Sequence, residues 1–82
     1  MVESSAEKGK PLSLIKPGDK VRLVSITGGT YMRSRLVSMG LLQGTAIEVV
    51  KNSGHGPVIV SVKGSRLLLG RGMAHKIMVD SA

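Results

Sequence analysis

Glycines and prolines divide this sequence into short segments, and that division is what most limits the folds open to it. The 82 residues include 11 glycines and three prolines. Most of the segments between these turn residues alternate apolar with polar side chains, a pattern typical of strands with one solvent-exposed face. The chain is therefore expected to be mainly β, with about five strands at residues 20–26, 46–51, 58–63, 66–69 and 76–80.

One segment has a helical period instead of an alternating one. Met32, Leu36 and Met39 fall at i, i+4 and i+7, which places them on one face of a helix. A short helix is predicted over residues 31–39, with Thr30 as its N-cap.

The end of that helix and the segment before the last strand are marked by glycine. Gly40 stands where a left-handed residue ends many helices, and Leu41 would make the apolar contact that accompanies this ending. Residues 70–75 are too short and too glycine-rich for a regular helix, so a single 3₁₀ turn is expected there.

These elements together suggest a small closed barrel, with the helix inserted after the first long strand. An open sheet of this size would leave two edges and one apolar face in contact with water. The expected core consists of apolar residues from the helix and all five strands: Val21, Leu23, Ile26, Leu36, Met39, Ile47, Val49, Val58, Val60, Leu67, Leu69, Ile77 and Val79.

A polar segment precedes the region with strand and helix patterns. Residues 1–10 have no apolar period and are expected to be a disordered leader, and residues 11–82 a single domain. Glu3 and Glu7 balance Lys8 and Lys10, so the net charge of +7 belongs to the domain.

Several kinds of chemistry are disfavoured by composition. The absence of cysteine excludes a disulfide scaffold, a thiol nucleophile and a zinc ribbon. The apolar runs are far shorter than the roughly 20 residues of a membrane span, and no signal-peptide core is present, so a cytosolic protein is expected. Few acidic residues and no nucleophile motif argue against an enzyme, and the sequence predicts no bound cofactor.

The two histidines are weak candidates for metal ligands. His55 lies in a glycine-rich loop, and His75 lies in the predicted 3₁₀ turn. Neither has a second potential ligand at the spacing that would put both on one face of an element. No functional metal site is expected at either.

The positive charge leaves nucleic-acid binding open. A basic barrel could follow a phosphate backbone with the basic residues Lys20, Arg22, Lys51, Lys63, Arg66 and Arg71. Tyr31 is the only aromatic residue, however, and proteins that bind single strands stack bases on several aromatic rings.

One tract combines glycines, arginines and apolar residues in the pattern Gly29-x3-Arg33-x-Arg35-Leu36-x2-Met39-Gly40-Leu41-x2-Gly44-Thr45. This pattern resembles the signature of the FeoA family, the ferrous iron transport protein A proteins. The resemblance continues before it in Leu14-x2-Pro17-Gly18, and after it in Gly56-Pro57-Val58 and Gly64-Ser65-Arg66-Leu67-x2-Gly70-x2-Met73-Ala74-x2-Ile77-x-Val79. It thus covers residues 11–80.

The resemblance implies an SH3-like barrel and an accessory role in ferrous iron uptake in a bacterial cytoplasm. The implied partner is FeoB, the membrane transporter of Fe²⁺ that carries a G-protein domain, and no catalysis by this chain is implied. Similar domains occur at the carboxyl end of iron-dependent repressors, so an iron-responsive regulatory domain remains an alternative, although no helix-turn-helix precedes this barrel.

The predicted docking residues lie on and just after the helix. Arg33 and Arg35 flank the apolar stripe and could pair with carboxylates of a partner, while Leu41 and Leu42 would supply a small desolvated centre. Tyr31 completes the predicted partner-binding set.

Overall fold

The computed structural model describes residues 9–81, and the sequence patterns above appear in it as six strands and three short helical segments. The elements, in chain order, are β1 (Lys10–Pro11), a 3₁₀ turn (Leu12–Leu14), β2 (Lys20–Ile26), α1 (Thr30–Ser38), β3 (Ala46–Lys51), β4 (Val58–Val62), β5 (Ser65–Leu69), α2 (Arg71–Ala74) and β6 (Ile77–Ser81).

The strands form one antiparallel sheet in the order β1-β6-β2-β3-β4-β5. The sheet curves around a single core in an SH3-like fold, as the sequence predicts. Within residues 9–81 no strand pairing joins β1 to β5, so the expected closure of the barrel is not completed by backbone hydrogen bonds. Strand β2 shows the physical basis: Val21, Leu23 and Ile26 point inward and are buried, while Lys20 and Arg22 are exposed. Burying each such aliphatic side chain contributes roughly 1.5–3 kcal/mol, which a chain this small needs.

The sixth strand, β1, is the element that the sequence pattern did not predict. Lys10 pairs with Val79 and Pro11 with Met78, so β1 covers one edge of β6. Two residues are too few to show an alternating pattern. Lys10, assigned above to a disordered leader, is thus paired in the sheet, while residues 1–8 of that predicted leader lie outside the described residues.

Helix α1 begins one residue earlier than predicted. Gly29, in an extended conformation, is its N-cap, and Thr30 is already helical. The predicted ending is confirmed: Gly40 has a φ of 92°, its N–H donates to the Val37 carbonyl, and the Leu41 N–H donates to the Leu36 carbonyl at 3.0 Å. These two bonds define the Schellman motif.

The short turn before β6 is α-helical in its hydrogen bonding. The N–H of Ala74 donates to the Gly70 carbonyl and that of His75 to the Arg71 carbonyl, both at 2.9 Å. Because these bonds span four residues rather than three, α2 is one turn of α-helix in the place where a 3₁₀ turn was expected.

The hairpin between β4 and β5 turns one residue earlier than the gap between the predicted strands 58–63 and 66–69 implies. Val62 pairs with Ser65, so Lys63 and Gly64 are the two central residues of the turn. Both have positive φ angles, 53° and 84°, as a type I′ hairpin requires. Lys63 is the only residue other than glycine with a positive φ in the described range.

The core matches the predicted one closely. All the predicted core residues are buried except Met39 and Leu67, which pack against the core while partly exposed. Four further apolar residues are buried: Leu12, Leu41, Val62 and Ala74. None of the helices within residues 9–81 is long and apolar enough to cross a membrane.

Candidate functional site

The predicted docking residues on helix α1 fall on two different sides of it. At 100° per residue, Arg33 and Val37 lie on one flank of the buried stripe, whereas Tyr31 and Arg35 lie on the opposite flank. Leu36 occupies the buried face between the flanks and is fully buried. The residues predicted from sequence therefore do not form one continuous patch.

A groove of about 290 Å³ runs between α1 and β2, and we call it the α1 groove. Its apolar wall includes Val37 and Leu42, whose side chains are 44% and 46% exposed. Arg33 stands at its rim, Val24 contributes from β2, and Leu41 lies beneath. The groove thus combines apolar surface with one positive charge.

Arg33 has a structural contact as well as an exposed position. Its Nη2 donates a hydrogen bond to the Ile26 carbonyl at 3.1 Å, which ties α1 to the end of β2. A guanidinium carries five N–H groups, and the Arg33 side chain remains exposed, so it can still bind a carboxylate.

Leu41 must be removed from the predicted docking set. Its side chain is fully buried, because the Schellman ending of α1 turns it into the core. Leu42, the next residue, faces outward. Its N–H donates to Thr45 Oγ1 at 3.1 Å and its carbonyl accepts from the Thr45 N–H at 3.0 Å, which fixes its backbone at the groove.

The opposite flank of α1 is exposed. Tyr31 is 76% exposed, and Arg35 is exposed beside it. An exposed tyrosine near an arginine is a common composition for a binding surface, so this flank is the natural competitor of the groove.

Sequence reasoning missed most of the residues that line the groove, among them Val37 on α1 and Val24 on β2. A signal for Val37 was present: it is an apolar residue outside the stripe formed by Met32, Leu36 and Met39. Val24 gave no such signal, because a β-bulge between Leu23 and Ser25 shifts the strand register there.

The two histidines are exposed and are engaged in different local contacts. His75 Nδ1 lies 3.1 Å from the Oγ atom of the buried Ser13, and the His55 carbonyl accepts a bond from Ser53 Oγ at 3.0 Å. Residues 9–81 contain no group of three or more histidine, cysteine or acidic side chains placed to share a metal ion.

Arg71 differs from the other basic residues because it points into the protein. Its guanidinium donates to the Gly56 carbonyl at 2.9 Å, to the Ser13 carbonyl at 3.2 Å and to Asn52 Oδ1. The Asn52 amide group donates in turn to the carbonyls of Ser13 and Ile15, both at 2.9 Å. We call these residues the Arg71 cluster. Arg71 is therefore not available to follow a phosphate backbone.

Comparison with known proteins gives consistent results over nearly the whole chain. The FeoA domain model matches residues 10–81. A protein of Methanocaldococcus jannaschii named "Putative Fe(2+) transport protein A" is 46% identical over 72 residues, covering 88% of this chain and 87% of that protein.

Solved structures agree with that match. A crystal structure of an iron uptake regulatory protein (FeoA) is 47% identical, with a TM-score of 0.81, covering 85% of this chain and 93% of the other. The solution structure of the FeoA protein from Chlorobium tepidum is 29% identical, with a TM-score of 0.78 and coverage of 87% and 69%. By fold, by sequence and by the Arg33–Thr45 block, which forms one side of the groove, this chain belongs to the FeoA domain family.

Proposed function

We propose that this protein is a cytosolic accessory component of ferrous iron uptake, which binds the FeoB transporter and regulates it. The observation that supports this most directly is the α1 groove, an exposed apolar surface with an arginine at its rim, in a member of the FeoA domain family. The function is binding rather than catalysis.

The groove is suited to a particular kind of partner surface. Val37 and Leu42 are each a little under half exposed and would lose water contact when an apolar side chain fills the space between them. Arg33 at the rim would pair with a carboxylate beside that apolar side chain, which favours the correct partner and orientation. The expected partner segment is therefore an apolar residue next to Asp or Glu.

Full-length FeoB in detergent, titrated with this protein, tests the proposal. The groove variant is Val37→Ser with Leu42→Ser, and the matched control is Tyr31→Ser with Arg35→Gln on the opposite flank. We expect the groove variant to weaken binding by more than about tenfold, since two apolar contacts at the centre of an interface are removed, and the control to change it little. Thermal melting of each variant would establish that both remain folded.

The two flanks make the result easy to interpret. A loss of binding confined to the Tyr31 and Arg35 variant would move the docking surface to the opposite flank of α1. Unchanged binding in both variants would exclude α1 from the interface. If the wild-type protein does not bind FeoB, the proposed partner is wrong.

A further inference from the structure

The outward face of the sheet carries rows of charged side chains that the α1 groove does not use. One row crosses four strands: Lys20 on β2 is paired with Glu48 on β3, Glu48 with Ser61 on β4, and Ser61 with Arg66 on β5. Paired residues of neighbouring strands point to the same side of a sheet, so these side chains lie together. Lys20, Glu48 and Arg66 are all exposed.

A second row lies beside the first. Arg22 is paired with Ala46 on β3 and with Asp80 on β6. The small side chains of Ala46 and Ser61 leave a shallow depression of about 390 Å³, which Lys63 borders from the β4–β5 turn. The depression is thus surrounded mainly by basic groups.

A third row adds apolar surface to the charge. Lys51 on β3 is paired with Ile59 on β4, and Ile59 with Leu68 on the edge strand β5. Leu68 is 66% exposed, one of the most exposed large apolar side chains in the described part of the chain. This face therefore has an apolar residue at its margin, two residues along the same strand from Arg66.

The three rows and Lys63 together make up the surface that we call the outward face, and basic residues outnumber acidic ones on it. The basic residues are Lys20, Arg22, Lys51, Lys63 and Arg66, and the acidic residues are Glu48 and Asp80.

The backbone of Lys63 is a second, independent indication that the outward face has a binding function. Its φ of 53° is left-handed, a conformation that is unfavourable for most residues and that hairpin turns of this type usually fill with Asn or Gly. A lysine here is a poor choice for the turn, but it places an ammonium group at the depression. Strained residues of this kind are enriched at functional sites.

We propose that the outward face binds the surface of an anionic phospholipid bilayer. The basic residues would meet the lipid phosphates, and Leu68 would enter the boundary between headgroups and acyl chains. Among the described residues this face has no aromatic side chain on which a nucleic-acid base could stack, and its exposed leucine has no role in phosphate-backbone binding. The proposal does not depend on FeoB, because a different surface of the protein is involved.

Sedimentation with lipid vesicles tests this inference. Wild-type protein should bind vesicles of phosphatidylcholine mixed with phosphatidylglycerol, should not bind vesicles of phosphatidylcholine alone, and should be released by salt. Lys63→Asn should lower the partition coefficient about fivefold, the value expected for one basic residue at an anionic surface. Its melting temperature should be unchanged or higher, because Asn accepts the left-handed conformation better than Lys.

Two further variants separate the proposed contacts from a general effect of charge. Lys76→Asn makes the same change of charge in the turn between α2 and β6, outside the outward face, and should keep most of the binding. Leu68→Ser should weaken binding to anionic vesicles at low salt but leave the dependence of binding on salt concentration unchanged, since it removes apolar rather than electrostatic attraction.

Three outcomes would overturn the proposal. They are failure of the wild type to bind anionic vesicles, equal losses in Lys63→Asn and Lys76→Asn, and binding to duplex DNA at salt concentrations where vesicle binding is absent. The last outcome would assign the outward face to nucleic acid.

Discussion

Two connections of this fold are attached to the barrel in different ways. The connection between β2 and β3, which contains α1, is held mainly by the buried side chains of Leu36 and Leu41. The connection between β3 and β4, residues 52–57, is held by the hydrogen bonds of Asn52 and Arg71.

This difference indicates which connection is free to bind a partner. In the Arg71 cluster both N–H groups and the carbonyl oxygen of the Asn52 side chain are already bonded, so few polar groups remain for another molecule. Apolar anchoring of α1 is less directional and leaves Val37, Leu42 and Arg33 exposed at a groove. We therefore expect binding at α1 and a structural role for the Arg71 cluster.

Removing the apolar anchor should have the largest effect. Leu41→Ala deletes a fully buried side chain and is expected to cost about 2–5 kcal/mol in the free energy of unfolding, from lost burial and the cavity left behind. Urea denaturation would measure it. Leu42→Ala, at the neighbouring exposed position, should stay within about 0.5 kcal/mol, and similar losses in the two variants would contradict the assignment of Leu41 to the core.

Weakening the polar anchor should have an intermediate and more local effect. Arg71→Lys keeps the charge but cannot reach three acceptors at once, so we expect a loss of about 1–3 kcal/mol. Hydrogen exchange would locate it: the Gly54 N–H, which donates to Asn52 Oδ1, should exchange faster, while the Leu41 N–H should lose protection only as global stability falls.

Arg66→Lys, on the outward face, is the control for the same chemical change. It should leave the hydrogen-exchange rates of the Gly54 and Leu41 N–H groups unchanged. Unchanged protection of Gly54 in Arg71→Lys would mean that the connection is held by something other than the cluster.

The smallest effect is expected at the end of α1. Gly40→Ala forces a side chain into a left-handed conformation and should cost about 1 kcal/mol, although nothing lies within 4 Å of the added carbon. Gly72→Ala lies in the helical turn α2, where the added carbon is equally unobstructed. It should instead raise the free energy of unfolding by about 0.5–1 kcal/mol. Thermal melting distinguishes the two signs, and a loss at both positions would point to crowding rather than to backbone conformation.

The parts of the fold that could be predicted from sequence are those determined by local pattern. Alternating residues located β2, β3 and β4, and Gly40 located the end of α1. The pairing of Lys10 with Val79 could not be predicted, because it joins residues far apart in the chain through a strand of only two residues.

The same reason explains the incomplete prediction of the site. The sequence indicated that α1 and its arginines were important, but the groove exists only because β2 lies next to α1, and Val24 enters it through a bulge. The Arg71 cluster depends on contacts with Ser13 and Gly56, 58 and 15 residues away, for which a single sequence gives no periodic signal.

The order of the strands has a consequence for how the protein is made on the ribosome. Strand β6, the last to be synthesised, pairs with β2 and β1, the first two. The core residues of β2 therefore have no neighbouring strand on the side that β6 will occupy until residues 77–81 have left the exit tunnel. Contacts between residues so distant in sequence form slowly. The β3–β4–β5 meander joins strands that follow one another in sequence and can form earlier. Val21 and Leu23 are therefore expected to stay accessible to chaperones until β6 has left the tunnel and paired with β2.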